Sequence, residues 1–312
     1  MKHPWLLASL LIVFTAVTAA GAEEDDNDEN GDFCQRTSQA VLRSCRVGAQ
    51  SDWWLALGRC DNLSDPAERK ACKQQALADS KDALESCAAQ FSARQAACRR
   101  LGGQPYDPVI DPANFVDKID NLYFPLTPGT VYIHEGRTSE GFVHSEFFVT
   151  RKTVQILGVT TVEVHDTVKV NGELREDTLD WFAQDREGNV WYFGENTMEL
   201  AGGRPTTLSG TFTAGVDGAK PGIIMKAHPA IGDFYRQEFA LGEAEDFGDV
   251  AKLSETVAVP AGRFTRCLKT LETTPLEPSL NEAKWFAPGI GHVLTKDLTT
   301  GETIKLVRIE VR

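Results

Sequence analysis

The sequence predicts an α+β protein, with a disulfide-stapled antiparallel helical hairpin followed by an antiparallel, curved or barrel-like β-sheet domain. Three observations predict it. Six of the seven cysteines stand at 34, 45, 60, 72, 87 and 98, at intervals of 11, 15, 12, 15 and 11 that read the same in both directions. From Gln104 onward the helical period disappears, and short β-rich runs alternate with turn residues. The chain opens on a secretory-type leader, which sets the oxidising compartment where cysteine staples persist.

The leader "MKHPWLLASLLIVFTAVTAAGAEEDD" carries Lys2, an apolar run from Trp5 to Thr18, and the small residues Ala20, Gly21 and Ala22. It reads as a signal peptide over residues 1–22, with cleavage after Ala22, or else after Ala20. The apolar run is too short to span a bilayer, no cysteine stands near the cleavage point to take a lipid, and no later segment reads as transmembrane. The expected location is secreted or periplasmic. Residues 23–32 form an acidic linker with seven acids and no base. Asp26, Asp28, Asn30 and Gly31 stand at calcium-loop spacing, but Thr37 occupies the place of the bidentate glutamate, so a disordered spacer is the reading.

Residues 33–102 read as the hairpin. At 100° per residue, intervals of 11 and 15 are close to whole numbers of turns, so each trio of cysteines lies along one helix stripe. The pairs Cys34 with Cys98, Cys45 with Cys87, and Cys60 with Cys72 each sum to 132, which is the condition for constant register between antiparallel helices. Small residues at Ala49 and Ala83, and at Ala56 and Ala76, obey the same sum and let the backbones approach. Ser64 is the expected N-cap of the second helix, ahead of Pro66 and Glu68, and "CRRLGGQP" ends it. Metal binding is the rival reading, but the segment has neither a C-x-x-C pair nor a histidine. So thin a pair of helices has little core, which explains the staples and suits a spacer or docking arm. Asn62 lies in an acceptor sequon at the hairpin tip.

Net charge is −13 and unevenly placed: the hairpin has eleven Lys/Arg against seven Asp/Glu, whereas residues 103–312 have twenty against thirty-one. No basic, aromatic-interleaved patch appears, so nucleic acid is not an expected partner. The usual catalytic spacings are missing too: there is no nucleophile elbow, H-E-x-x-H, phosphate loop, dinucleotide fingerprint or haem-attachment pair. The sequence specifies no cofactor and no metal site. Cys267, the odd cysteine, reads as a small buried hydrophobe in a strand, with intermolecular pairing as the alternative.

Residues 103–312 read as one β domain. Within it, the meander over 162–195 is the most informative stretch. Asn171 and Gly172 form the commonest two-residue hairpin turn, which pairs Val170 with Glu173 and sets later pairs at a sum of 343. Asp185 to Gly188 fits a type I turn with a glycine bulge and would pair Trp181 with Phe193. This register puts Val162, Val164, Val168, Val170, Leu179, Trp181, Ala183, Trp191 and Phe193 on a core face. The other face carries Glu163, His165, Glu176, Thr178, Asp180, Phe182, Gln184 and Tyr192. A solvated face needs no function, and a cation or polar ligand on Glu163, His165, Asp180, Gln184 and Tyr192 is the alternative. The same register sets Asp166 opposite Asp177 on the core face, where two acids would share a proton, bind a cation or take a basic partner. A bulge at "HDT", or a wet sheet edge, would undo that pairing. If it holds, Asp177→Asn raises the melting temperature at neutral pH and abolishes binding.

The motifs "IDNLYFPLTPGTVY", "EDTLDWFAQDREGNVWYFGE", "GVDGAKPGIIM", "VPAGRFTRCLKT" and "KWFAPGIGHV" make the chain after Gln104 resemble bacterial exported β-rich proteins of unassigned function. The last two are similar to motifs of TapB-like envelope proteins. The resemblance implies an extracytoplasmic bacterial β protein and carries over no catalytic residue. The function expected is that of an exported, non-enzymatic envelope or secreted protein that binds an unidentified ligand or envelope partner through its β domain. The alternative is a hydrolase or metal-dependent enzyme using the carboxylates of the 162–195 meander.

Overall fold

The computed structural model describes residues 32–312; the expected signal peptide (1–22) and all of the linker (23–32) but Asp32 lie outside the described residues. Helices α1 (Phe33–Asp61) and α2 (Pro66–Leu101) form the hairpin, held by Cys34–Cys98, Cys45–Cys87 and Cys60–Cys72 with Cα separations of 5.6, 5.8 and 5.5 Å. All three pairings follow the constant register. The cap of α2 differs from expectation: Asp65, not Ser64, accepts from the backbone N–H groups of Ala67 and Glu68, at 2.7 and 2.8 Å. Asp65 stands directly before Pro66, so its carboxylate reaches the first free N–H groups of the helix. Asp32 caps α1 in the same way through Gln35 N–H at 2.9 Å. No helix among the described residues is long and apolar enough to cross a membrane.

A short 3-10 turn (Pro112–Asn114) leads into sixteen strands, of which the first nine are β1 (Phe115–Val116), β2 (Thr130–Thr138), β3 (Gly141–Ile156), β4 (Val159–Val170), β5 (Glu173–Asp185), β6 (Val190–Ala201), β7 (Arg204–Thr207), β8 (Phe212–Thr213) and β9 (Lys220–Met225). They continue as β10 (Phe234–Arg236), β11 (Glu238–Phe239), β12 (Phe247–Val259), β13 (Gly262–Thr273), β14 (Asn281–Ala287), β15 (Gly291–Asp297) and β16 (Thr303–Val311). Strands β2 to β6 and β12 to β16 are two antiparallel meanders, and β16 pairs with β2 to join them. The opposite seam is closed by one bent segment: β10 pairs with β12, β11 pairs with β9, and only Gln237 lies between β10 and β11. The sheet is thus a nearly closed barrel. Gly222 permits the seam, because a Cβ there would strike the backbone of Gln237 and Glu238.

The two faces of the wall bury different sets. Inside, Val164, Phe182, Tyr192, Leu268 and Phe286 belong to the main core. On the opposite face of β5 and β6, Ala183 and Phe193 pack with Trp181 and Trp191 under Ile110 and Phe115, the latter edge-on to Trp191 and Phe193. Cys267 is fully buried and unpaired in β13.

The hairpin is anchored to the barrel by a buried ion pair. Arg94, 4% exposed, makes a fork of bonds at 2.7 and 2.9 Å to the carboxylate of Glu245, 2% exposed, in the loop between β11 and β12. Arg100 adds a bond to Asp249 at 2.5 Å and lies 4.0 Å over the ring of Phe234. Removing one partner of a buried pair strands the other charge without water, at a cost of about 3–5 kcal/mol. Arg94→Met should therefore lower stability by about that amount in urea melts, and the double variant Arg94→Met/Glu245→Leu should recover most of the loss.

Candidate functional site

The barrel holds a cavity of about 440 Å³ that is open to solvent on one side. One part of its wall is aromatic and the other is acidic. The aromatic part depends on the segment between β1 and β2. Gln184 on β5 accepts the N–H groups of Asp120 and Asn121 at 2.9 and 2.8 Å, and Asn121 in turn donates to the carbonyls of Gly188 and Lys226 at 2.8 and 3.2 Å. This clamp directs Phe124 into the barrel, where its ring lies 5.4 Å from Phe182, 6.4 Å from Phe147 and 6.4 Å from Phe286. These rings stand on β5, β3 and β14, so Phe124 bridges walls far apart along the sheet. Gln184 serves as a positioning residue and holds the loop, outside the ligand space.

The acidic part follows from a one-residue change of register. Val170 pairs with Glu173 across Asn171 and Gly172, both at positive φ (52° and 86°), as the turn dictates. Beyond Lys169–Leu174 a bulge at Arg175 shifts the ladder, so Asp166 faces Thr178 and Val164 faces Asp180. A shift of one exchanges every later side chain between faces. The expected Asp166–Asp177 pair is therefore broken, and the expected core face of β5 (Leu179, Trp181, Ala183) lies outside the barrel. The Asp185–Gly188 turn does form, with Ala183 opposite Trp191 and Phe182 opposite Tyr192; a second bulge then sets Trp181 opposite Gly194 in place of Phe193. A bulge beside the site, and not at "HDT", is what reorders the meander.

Of the expected site residues, Asp166, Asp180 and Tyr192 come together on the cavity wall. His165 and Asp177 pair on the opposite face at 2.7 Å, and Glu163, also there, accepts from Thr150 at 3.3 Å and sits 3.5 Å from Lys152. Sequence reading missed Glu238, Asp246, Glu272, Glu282 and Lys284, which line the same pole from β11 to β14. In the loop "LGEAEDFGD", Asp246 faces the cavity and Glu245 holds Arg94.

The pole is short of positive charge. Burial works against the Lys284 ammonium, but Glu272 at 2.6 Å and Glu282 at 3.8 Å hold it protonated, raised from its usual range. Burial and then Glu176 raise Asp166 to about 7, against one hydrogen bond donated by Ser145 at 3.2 Å. Asp180, 7% exposed, and Glu195 stand opposite each other on β5 and β6, and the single Tyr192 hydroxyl lies 2.5 Å from one and 3.0 Å from the other. A phenol has one proton to donate, so the second contact requires a proton on a carboxyl. Burial raises both acids, Glu195 to about 7. The two acids that face each other across a ladder inside the barrel are thus Asp180 and Glu195, in place of the expected Asp166 and Asp177. Glu238 is raised by burial and then by Asp246. His134 stacks on His292 at 4.7 Å, and burial lowers His134 to about 4 and His292 well below its usual value, so both rings are neutral at pH 7. Among the described residues no group of three or more His, Cys, Asp or Glu is disposed to hold a metal ion.

No family model matches the chain, and no curated protein matches it. A solved structure described as a "putative lipoprotein" from Parabacteroides distasonis aligns over 61% of this chain and 99% of its own, with 14% identity and a TM-score of 0.30. Likeness of that degree carries no argument about fold or ligand.

The sign of the pH dependence follows from Asp166. Its acid form is favoured by folding, so the stability it contributes is complete below its ordinary value near 3.8 and is lost as the pH rises through about 7. Asp166→Asn should gain a few degrees in melting temperature over the parent at pH 8 and lose that advantage near pH 4, read from paired thermal melts. Asp177→Asn should show no such gain, because its pair with His165 is a half-exposed surface contact worth under about 1 kcal/mol.

Proposed function

We propose that the protein is an exported, non-enzymatic binding protein of the envelope or secreted space, whose barrel cavity takes a small ligand with an apolar body. The hairpin serves as its docking arm. The observation that carries this reading is the cavity itself: about 440 Å³, with four phenylalanines converging on one part and convergent polar groups on the other. That volume lies within the range of small-molecule sites, and such a division of the wall is their usual composition. The secretory leader and the three stapled cysteine pairs support an oxidising, extracytoplasmic location. Hydrolysis has less support. Ser145 stands beside Asp166 and opposite His134 inside the barrel, but His134 Nε2 is engaged by the His292 carbonyl at 3.2 Å and makes no hydrogen bond to Ser145 among the described residues, and the His165–Asp177 pair lies on the other face of the sheet.

The neutral fluorophore N-phenyl-1-naphthylamine should bind saturably, with one molecule per chain. Val168→Trp, which fills the cavity from β4, should weaken that binding at least tenfold in a fluorescence titration while keeping a cooperative melt. Equal binding by the parent and the filled variant would place the probe elsewhere and end this reading.

A further inference from the structure

Resting on the reading of the cavity as a ligand site, we propose that its ligand is an amphiphile bearing a protonated amine, with the ammonium group among Asp166, Asp180 and Glu238 and the hydrocarbon body on the phenylalanine wall. Three observations converge on it.

The first is the imbalance of acidic over basic side chains inside the nearly closed barrel. Six carboxylates line the cavity (Asp166, Asp180, Glu238, Asp246, Glu272 and Glu282) against Lys284 alone. Lys284 is already engaged by Glu272 and Glu282, so it neither neutralises the remaining four nor stands free to hold an anion. The histidines are no substitute, since both are neutral at pH 7.

The second is a polar side chain built into the pole with nothing to bond. Gln237, the residue on which the barrel closes, is 2% exposed and lines the cavity, and no described residue makes a hydrogen bond to its side-chain amide. The neighbouring Glu238 carboxylate also has no hydrogen bond among the described residues. Buried amides are ordinarily paired, and one left open towards a cavity has its partner in whatever fills that cavity. The Gln237 amide offers a carbonyl acceptor beside its own N–H donors, and the acids become acceptors once they give up their protons, so the pole can receive the N–H groups of an ammonium.

The third is that the pole has no arrangement of three or more metal-ligating side chains among the described residues, which leaves a bare cation little to coordinate. An alkylammonium differs in needing only hydrogen-bond acceptors and a place for its chain. The aromatic wall supplies that place. A neutral ligand would leave the acids holding their protons, whereas an entering R–NH₃⁺ displaces a proton from the Asp180–Glu195 pair or from Asp166 to solvent and so keeps the net charge of the pole unchanged.

The test compares three probes of one chain length, octylamine, octan-1-ol and octanoate, by calorimetry on the purified protein at pH 7.5 in phosphate and in Tris. Octylamine should bind at least tenfold more tightly than octanol, with net proton release read from the difference in heat between buffers, and octanoate should bind least. Asp180→Asn/Glu238→Gln should lower octylamine affinity at least tenfold and octanol affinity far less, and a cooperative thermal melt reports that the variant is folded. Equal affinities for octylamine and octanol would overturn the amine assignment while leaving the cavity reading intact. Tighter binding of octanoate would make Lys284 the anchor and also overturn it. Failure of all three probes to bind would remove both readings together.

Discussion

A sheet that closes on itself must bring its first and last strands together, and in this protein the closure falls on six residues, Phe234 to Phe239. The first half of that segment pairs with β12 and the second half with β9, so one bent strand completes two ladders. Closure is what creates an inside. It removes the open edge that a long antiparallel sheet otherwise presents for aggregation, and it surrounds the alternate side chains of every strand with other strands. The segment also contributes Gln237 and Glu238 to the cavity, so the residues that shut the barrel belong to its acidic pole.

Enclosure explains the electrostatics. A carboxylate on an open solvated face would stay ionised at its ordinary pKa. Inside the wall, Asp166, Asp180, Glu195 and Glu238 are all raised, and in each case burial is the leading cause. Such a group costs stability at neutral pH, which is the usual relation between a poised site and the fold that holds it. Lys284 and the hydrogen bonds from Ser145 and Tyr192 offset part of that cost without removing it.

The hairpin and the barrel are connected by chemistry unlike that within either. The helices have little apolar surface of their own, and their staples resist separation by constraining the unfolded chain. Their seat on the barrel is the Arg94–Glu245 fork, supported by Arg100 on Asp249 and by Arg236, whose guanidinium lies 4.7 Å over Phe239 and 5.2 Å over Phe247 while its nitrogen reaches Cys34 Sγ at 3.7 Å. Arg236 belongs to the closing segment. The seating of the hairpin and the closure of the barrel therefore share residues.

The sequence by itself determined whatever depends on local periodicity: the two helices, their cysteine register, the Asn171–Gly172 and Asp185–Gly188 turns, and the succession of strands. Each of these follows from the spacing of residues within one or two elements, where geometry is repetitive and arithmetic suffices. Residue types also marked Asp166, Asp180 and Tyr192 as candidates. Only the tertiary structure decided what they face. The extra residue at Arg175 has no signature in composition, yet it moves Asp180 from the expected outer face to the inside and sends Asp177 out. Closure then sets these acids against Glu238, Asp246 and Lys284, which are distant in sequence and lie on β11, in the loop before β12 and on β14, none of which a local pattern pairs with β4 or β5. A period of two makes a face legible up to the first bulge, and only the three-dimensional path of the chain shows which face becomes the inside.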